Sequence, residues 1–212
     1  MILKNPTKNL DFANFFTKMT ACFGELTKFE QQIQEIATLA NISLQDYQID
    51  HMSVRMNQMD TAKAWYNMLL ESAEIFNESM INGRPIALFK LHQPIVFCDQ
   101  TVSILELPFP KGKIYPREGW EHIEIIAPFQ PNESVEQWIQ RMLSTFKLEQ
   151  QSLLTFKISQ PKSSGEIIPN PTIALTLNDK TNRNNCCLKV HPYDIKSIIC
   201  SENNFLNNFL SE

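Results

Sequence analysis

The chain has no run of 18 apolar residues, no basic cluster and no cysteine pair in C-x-x-C spacing. The first absence argues against a membrane-spanning helix. The second, with 19 basic against 23 acidic residues, argues against the basic face of a nucleic-acid-binding protein. Cys22, Cys98, Cys186, Cys187 and Cys200 are odd in number, so neither a disulfide framework nor a zinc ribbon is indicated, and they read as reduced thiols. The first residues, Met1-Ile2-Leu3-Lys4-Asn5-Pro6, offer no apolar h-region or small-residue cleavage site, and a cytoplasmic location is expected. P-loop, G-x-G-x-x-G, G-x-S-x-G and H-E-x-x-H strings are missing too, which leaves nucleophilic-triad readings without an anchor.

What is present is an ordinary globular composition, 43% hydrophobic and 20% charged. At 212 residues the chain can bury about 70% of its unfolded surface and needs neither a disulfide nor a metal merely to fold.

Apolar residues recur at three- and four-residue intervals from Phe12, Phe15, Phe16, Met19 and Phe23 to Leu26, Phe29, Ile33, Ile36, Ala37 and Ala40. This predicts two helices over 11–40, parted at Gly24. From residue 49 the pattern becomes strand (Ile49 to Met56), then a helix capped at Asp60 with Ala62, Trp65, Leu69 and Ala73 facing inward, then apolar runs at 75–81, 85–91 and 102–107. The same order repeats: strand Glu121 to Ala127, a helix after Asn132, and runs at 153–158, 172–177 and 187–191. Pro85-Ile86-Ala87-Leu88 and Pro171-Thr172-Ile173-Ala174-Leu175 echo each other within that order. The expectation is α+β: a helical N-terminal extension (1–48), a domain of paired βαβββ units forming a curled mixed sheet (49–200, units near 49–110 and 119–195) and a tail (201–212). Turn formers fill the loop at Gln160 to Asn170 and a polar turn is expected at Asn178 to Asn185, while Phe205, Leu206, Phe209 and Leu210 would dock the Asn-rich end locally.

Three of the four histidines fall at corresponding places in this repeat. His51 and His122, 71 residues apart, open the first strand of each half, while Glu106 and His191 stand on the last strands, each just ahead of a proline. Alternate residues of a strand share a face. Curled units would therefore gather His51, Glu106, His122 and His191 at one cavity. Imidazole and carboxylate donors in that combination suit a divalent Zn, Ni, Mn or Fe, with positions left for a small-molecule ligand. Magnesium, which prefers a harder oxygen set, is least favoured. Taken singly, each of these residues reads as a hydrogen-bonded core or rim side chain, and it is the repeat that argues for a shared site.

Glu124 shares the predicted face of His122. It is a candidate base or further ligand, with a buried salt bridge to Arg55 as the competing reading. Asp50 and Glu121 alternate to the opposite face and read as surface charges. Arg84, beside Gly83, is a candidate contact for a substrate anion, against the plainer reading of a surface arginine.

Asp50-His51, Ile81-Asn82-Gly83-Arg84-Pro85-Ile86, Leu105-Glu106-Leu107-Pro108, Tyr115-Pro116-Arg117-Glu118-Gly119-Trp120-Glu121-His122-Ile123-Glu124, Pro169-Asn170-Pro171-Thr172 and His191-Pro192-Tyr193 together resemble the YecM-like family. That family sits within the vicinal oxygen chelate superfamily of glyoxalases, extradiol dioxygenases, epimerases and bleomycin-resistance proteins. The resemblance implies a metal-dependent isomerase-like, lyase-like or oxygenase-like protein; in a metal enzyme built on these residues, Glu106 or Glu124 would be the base. Its glyoxalase-type members carry His, Glu, His and Glu at the four ligand positions, which map here onto His51, Glu106, His122 and His191. The fourth departs from the pattern and argues against glyoxalase chemistry. A non-catalytic small-molecule-binding module and a structural cytoplasmic protein without metal remain as alternatives, and a homodimer is one assembly left open.

Overall fold

The computed structural model of this chain describes residues 6–160, 168–178 and 186–201, with residues 6–12 described by backbone alone. The expectations for most of the 160–170 loop, the turn before residue 186 and the apolar residues of the tail lie outside these residues.

Helices α1 (Pro6–Phe23) and α2 (Leu26–Leu39) are parted at Gly24, whose φ of 88° is a left-handed conformation that ends a helix cheaply only without a Cβ. Phe15, Met19, Phe23, Phe29, Ile33, Ile36 and Ala37 face inward, as their spacing predicts, whereas Phe16, counted in the same stripe, lies on the outer side of α1. The first unit runs β1 (Gln48–Arg55), α3 (Met59–Leu69), β2 (Ala73–Ile81), β3 (Arg84–Phe97) and β4 (Gln100–Pro108). The second runs β5 (Gly119–Ile126), α4 (Val135–Thr145), β6 (Leu154–Ser159), β7 (Thr172–Leu177) and β8 (Cys187–His191). Residues 195–201 form a further helical segment, α5.

Two local expectations need correcting. Asp60 is not the cap of α3: the helix begins after Gln58 and Asp60 lies in its first turn, where its charge faces the positive helix end. Ala73 belongs to β2 rather than to the helix. The second helix is capped by Ser134, whose Oγ accepts from the Gln137 amide while the Gln137 side chain accepts from the Ser134 amide. Such reciprocal satisfaction of two orphan donors fixes where a helix starts.

The eight strands among the described residues form one sheet in the order β2-β3-β4-β1-β5-β8-β7-β6. Each unit lays its last strand parallel to its first, β4 on β1 and β8 on β5, and the two first strands pair antiparallel at the centre. This is the paired βαβββ arrangement that the repeat predicted. It brings the first and last strands of both units together, which is what a shared site requires.

The sheet has two unlike faces. Met52, Val54, Leu105, Leu107, Ile123, Ile125, Leu188 and Val190 are buried in one core with the inward residues of α1 to α4, including Trp65, Trp138 and Met142. Each such side chain contributes roughly 1.5–3 kcal/mol relative to exposure. The other face carries His51, Ser53, Glu106, His122, Glu124 and Lys189, and α5 packs there through Ile199 on Leu88 and Ile104.

Gly119 shows how closely the N-terminal helices approach this sheet. Its φ is 111°, and a Cβ at this position would lie 2.2 Å from the Phe23 carbonyl oxygen. Next to it the Trp120 indole donates to the Gly24 carbonyl and stacks on Phe29.

Candidate metal centre

The central β1–β5 ladder is interrupted twice. Ile49 pairs with Ile125 and His51 with Glu124, so Asp50 is an extra residue on β1; Ser53 pairs with His122 and Val54 with Trp120, so Glu121 is an extra residue on β5. A bulge of this kind re-aims the side chains around it. Here it brings each acidic residue to the histidine that follows it. The His51 Nδ1–H donates to Asp50 Oδ2 at 2.8 Å, and His122 Nδ1 faces Glu121 Oε2 at 3.3 Å. Strict alternation put Asp50 and Glu121 on the outer face as surface charges. The two bulges overturn that expectation: the Asp50 side chain is 6% exposed and that of Glu121 is 17% exposed.

With Nδ1 turned to a carboxylate, each imidazole presents Nε2 to the cavity. The Nε2 atoms of His51 and His122 lie 3.8 Å from the two oxygens of Glu106, on β4. Ligand atoms of these three residues lie within 4.8 Å of one another and all three side chains are buried. Ser53 Oγ donates to Glu106 Oε1 at 2.8 Å, which fixes the carboxylate rotamer. His51 Nε2 is buried with no hydrogen-bond partner, and an orphaned polar atom of this kind calls for a ligand. Two nitrogens, one carboxylate and carboxylates behind both rings form a donor set that fits a divalent ion of the zinc or nickel type.

Glu124 sits between the histidines. Its Oε1 accepts from Lys189 Nζ at 2.8 Å and lies 3.2 Å from His122 Nε2; its Oε2 lies 3.7 Å from His51 Nε2 and 3.5 Å from His191 Nε2. The alternative pairing of Glu124 with Arg55 does not occur, because the Arg55 guanidinium is taken by Glu121 and lies over the Tyr115 ring. His191 is buried with its Nε2 3.8 Å from Asp50 Oδ2, and its ring centre is 6.3 Å from that of His51. It therefore stands beside the compact trio of His51, Glu106 and His122.

The electrostatics follow from this crowding. Burial pulls the His51 pKa down, but Glu124, Asp50 and Glu106 together outweigh it and lift it to about 9. Burial raises Glu124, yet Lys189, His51 and His191 hold its carboxyl well below the usual range. Glu121 is likewise held low against its burial by His122 and Arg55. Burial leaves His191 below its ordinary value despite Glu124 and Asp50. Lys189 is held above its ordinary value because Glu124, Glu106 and Glu121 outweigh its desolvation.

The site opens into a cavity of about 250 Å³ whose wall includes Ile86, Pro108, Asn170, Thr172, Lys189 and Ile198. Asn170 is 8% exposed and its Oδ1 has no hydrogen-bond partner. Arg84 reaches the same wall, though its guanidinium donates to the backbone carbonyls of Phe109 and Pro108. Lys189, Ser53 and Asn170 escaped the sequence reading. Strand parity places Lys189 on the face of His191, but a lysine two residues before a strand end gives no sign of turning inward.

Residues 18–202 match the YecM protein family. The chain belongs to that family. An "Uncharacterized protein" of Haemophilus influenzae is 46% identical over 186 residues, 88% of this chain and 96% of that one. "Protein YecM" of Escherichia coli K12 is 39% identical over 181 residues, covering 84% and 91%. A solved structure from structural genomics, Protein EC4020, superposes with a TM-score of 0.69 at 33% identity, covering 95% of this chain and 98% of its own. Membership of the family thus agrees with the resemblance that its motifs carry.

Proposed function

We propose that this protein is a metal-dependent enzyme acting on a small molecule, with a divalent Zn, Ni, Mn or Fe held by His51, Glu106 and His122. The observation that carries this reading is the pair of bulges that hydrogen-bond His51 to Asp50, bring Glu121 to 3.3 Å from His122 Nδ1 and leave both Nε2 atoms 3.8 Å from Glu106. When bound, such an ion polarises oxygens of a ligand and stabilises a developing anion. Glu124, 3.7 Å from His51 Nε2 and lining the cavity, is the base in this reading, and Glu106 is the alternative. His191, whose buried Nε2 lies 3.5 Å from Glu124 Oε2 and has no hydrogen-bond partner, is the reserve for a fourth donor. Arg84, at the cavity wall, contacts an anionic end of the substrate.

A cytoplasmic location belongs to the same proposal and is supported by an odd number of cysteines without C-x-x-C spacing. No helix among the described residues is long and apolar enough to cross a membrane. A homodimer is supported by exposed apolar residues at the sheet's edges: Ile75 and Met80 on β2, Ile158 on β6.

The test is elemental analysis of untagged protein, wild type beside a His51→Ala, His122→Ala double variant. Near-stoichiometric metal that disappears in the variant is expected. Metal content unaffected by the substitutions would overturn the proposal.

A further inference from the structure

The two units do not contribute equivalent charges to the site. Ser53 lies two residues beyond His51 and pairs with Glu106; Glu124 lies two residues beyond His122 and pairs with Lys189. By ladder position, Lys189 rather than His191 is the counterpart of Glu106. His191 pairs with Ile126, two rungs further on. The fold's pseudo-symmetry thus sets an ammonium where its other half sets a carboxylate.

That ammonium does not point away. Lys189 Nζ lies 2.8 Å from His122 Nε2 and 2.8 Å from Glu124 Oε1. The nitrogen that would face an ion in the metal reading accepts a hydrogen bond from lysine instead. One imidazole lone pair serves a single partner, so an ion on His122 requires this bond to break. Two cations at such separation also repel strongly in a partly desolvated site. Lys189 has somewhere to go, because its flexible stem lines the cavity and 26% of its side chain is exposed. We propose that Lys189 is an internal cation that competes with a divalent ion for this site and so sets the protein's metal affinity. The inference rests on the metal reading above and adds a determinant that the ligand set alone does not contain. With lysine seated, the carboxylates of Glu106 and Glu124 keep a compensating charge; with an ion seated, lysine turns into the cavity.

Calorimetric titration of metal-free protein with Zn²⁺ and with Ni²⁺, at one pH, tests this in wild type, Lys189→Met, Lys189→Glu and His51→Ala. Lys189→Met is expected to bind at least tenfold more tightly than wild type, and Lys189→Glu, which restores a carboxylate at the counterpart position, more tightly still. Without metal, Lys189→Met should melt below wild type, since Glu124 loses its partner. Should Lys189→Met fail to fold, Lys189→Gln keeps a donor for Glu124 and is expected to shift affinity in the same direction. Equal affinity in wild type and the Lys189 variants, with binding abolished by His51→Ala, would overturn the role of Lys189 and leave the metal site standing. Absence of binding in every variant would overturn both.

Discussion

The Asp50 carboxylate holds two groups with one oxygen: Oδ2 accepts the Nδ1–H of His51 at 2.8 Å and the backbone amide of Ile195 at 3.0 Å. A residue placed by a bulge therefore ties the orientation of a metal-facing imidazole to the start of α5, whose Ile195 and Ile198 wall the cavity. Asp50→Ala should lower Zn²⁺ affinity by about 10–100-fold, the usual effect of removing a carboxylate behind a ligating histidine. It should also speed amide exchange over residues 195–201. Calorimetry and hydrogen exchange measure the two effects, and unchanged values in both would show that the contact does not organise the site.

Gly119→Ala should be costly. Its Cβ would meet the Phe23 carbonyl at 2.2 Å on a backbone with φ of 111°, so overpacking and left-handed strain add to about 2–5 kcal/mol. Gly112→Ala is the control, with φ of 77° and nothing within 4 Å of the added methyl. It should cost only about 1–2 kcal/mol. Urea melts compare them; equal losses would contradict the close docking of α1 on β5.

His51 makes metal-free stability depend on pH. Its pKa rises from 6.5 to about 9 on folding, so the protonated ring stabilises the fold fully below pH 6.5 and that contribution is lost as pH climbs through about 9. Wild type should lose on the order of 3 kcal/mol over this window relative to His51→Gln. Urea melts at pH 6 and pH 9.5 measure the difference, and parallel behaviour of the two proteins would mean that His51 is not held as an imidazolium.

The strand order and the placement of His51, Glu106, His122 and Glu124 on one face were legible in the sequence because period-two burial and a repeated element order survive without side-chain detail. The bulges were not. A single inserted residue shifts parity without altering composition, so Asp50 and Glu121 read as outward while the chain turns them in. The echo of Ile86-Ala87-Leu88 with Ile173-Ala174-Leu175 misled in a similar way. Both segments lie on third strands, but Leu88 pairs with Glu106 while Ala174, not Leu175, pairs with Lys189. The letters are one residue out of step, and matching them by sequence hides Lys189 as the counterpart of Glu106.

Anomalous diffraction from crystals soaked in Zn²⁺ tests the central claim most directly. The account predicts one strong peak bonded to His51 Nε2 and His122 Nε2 at about 2.0–2.1 Å, with a Glu106 oxygen as third protein ligand and the Lys189 ammonium displaced into the cavity. A peak on other residues, or an empty centre with Lys189 still on His122 at saturating metal, would contradict it.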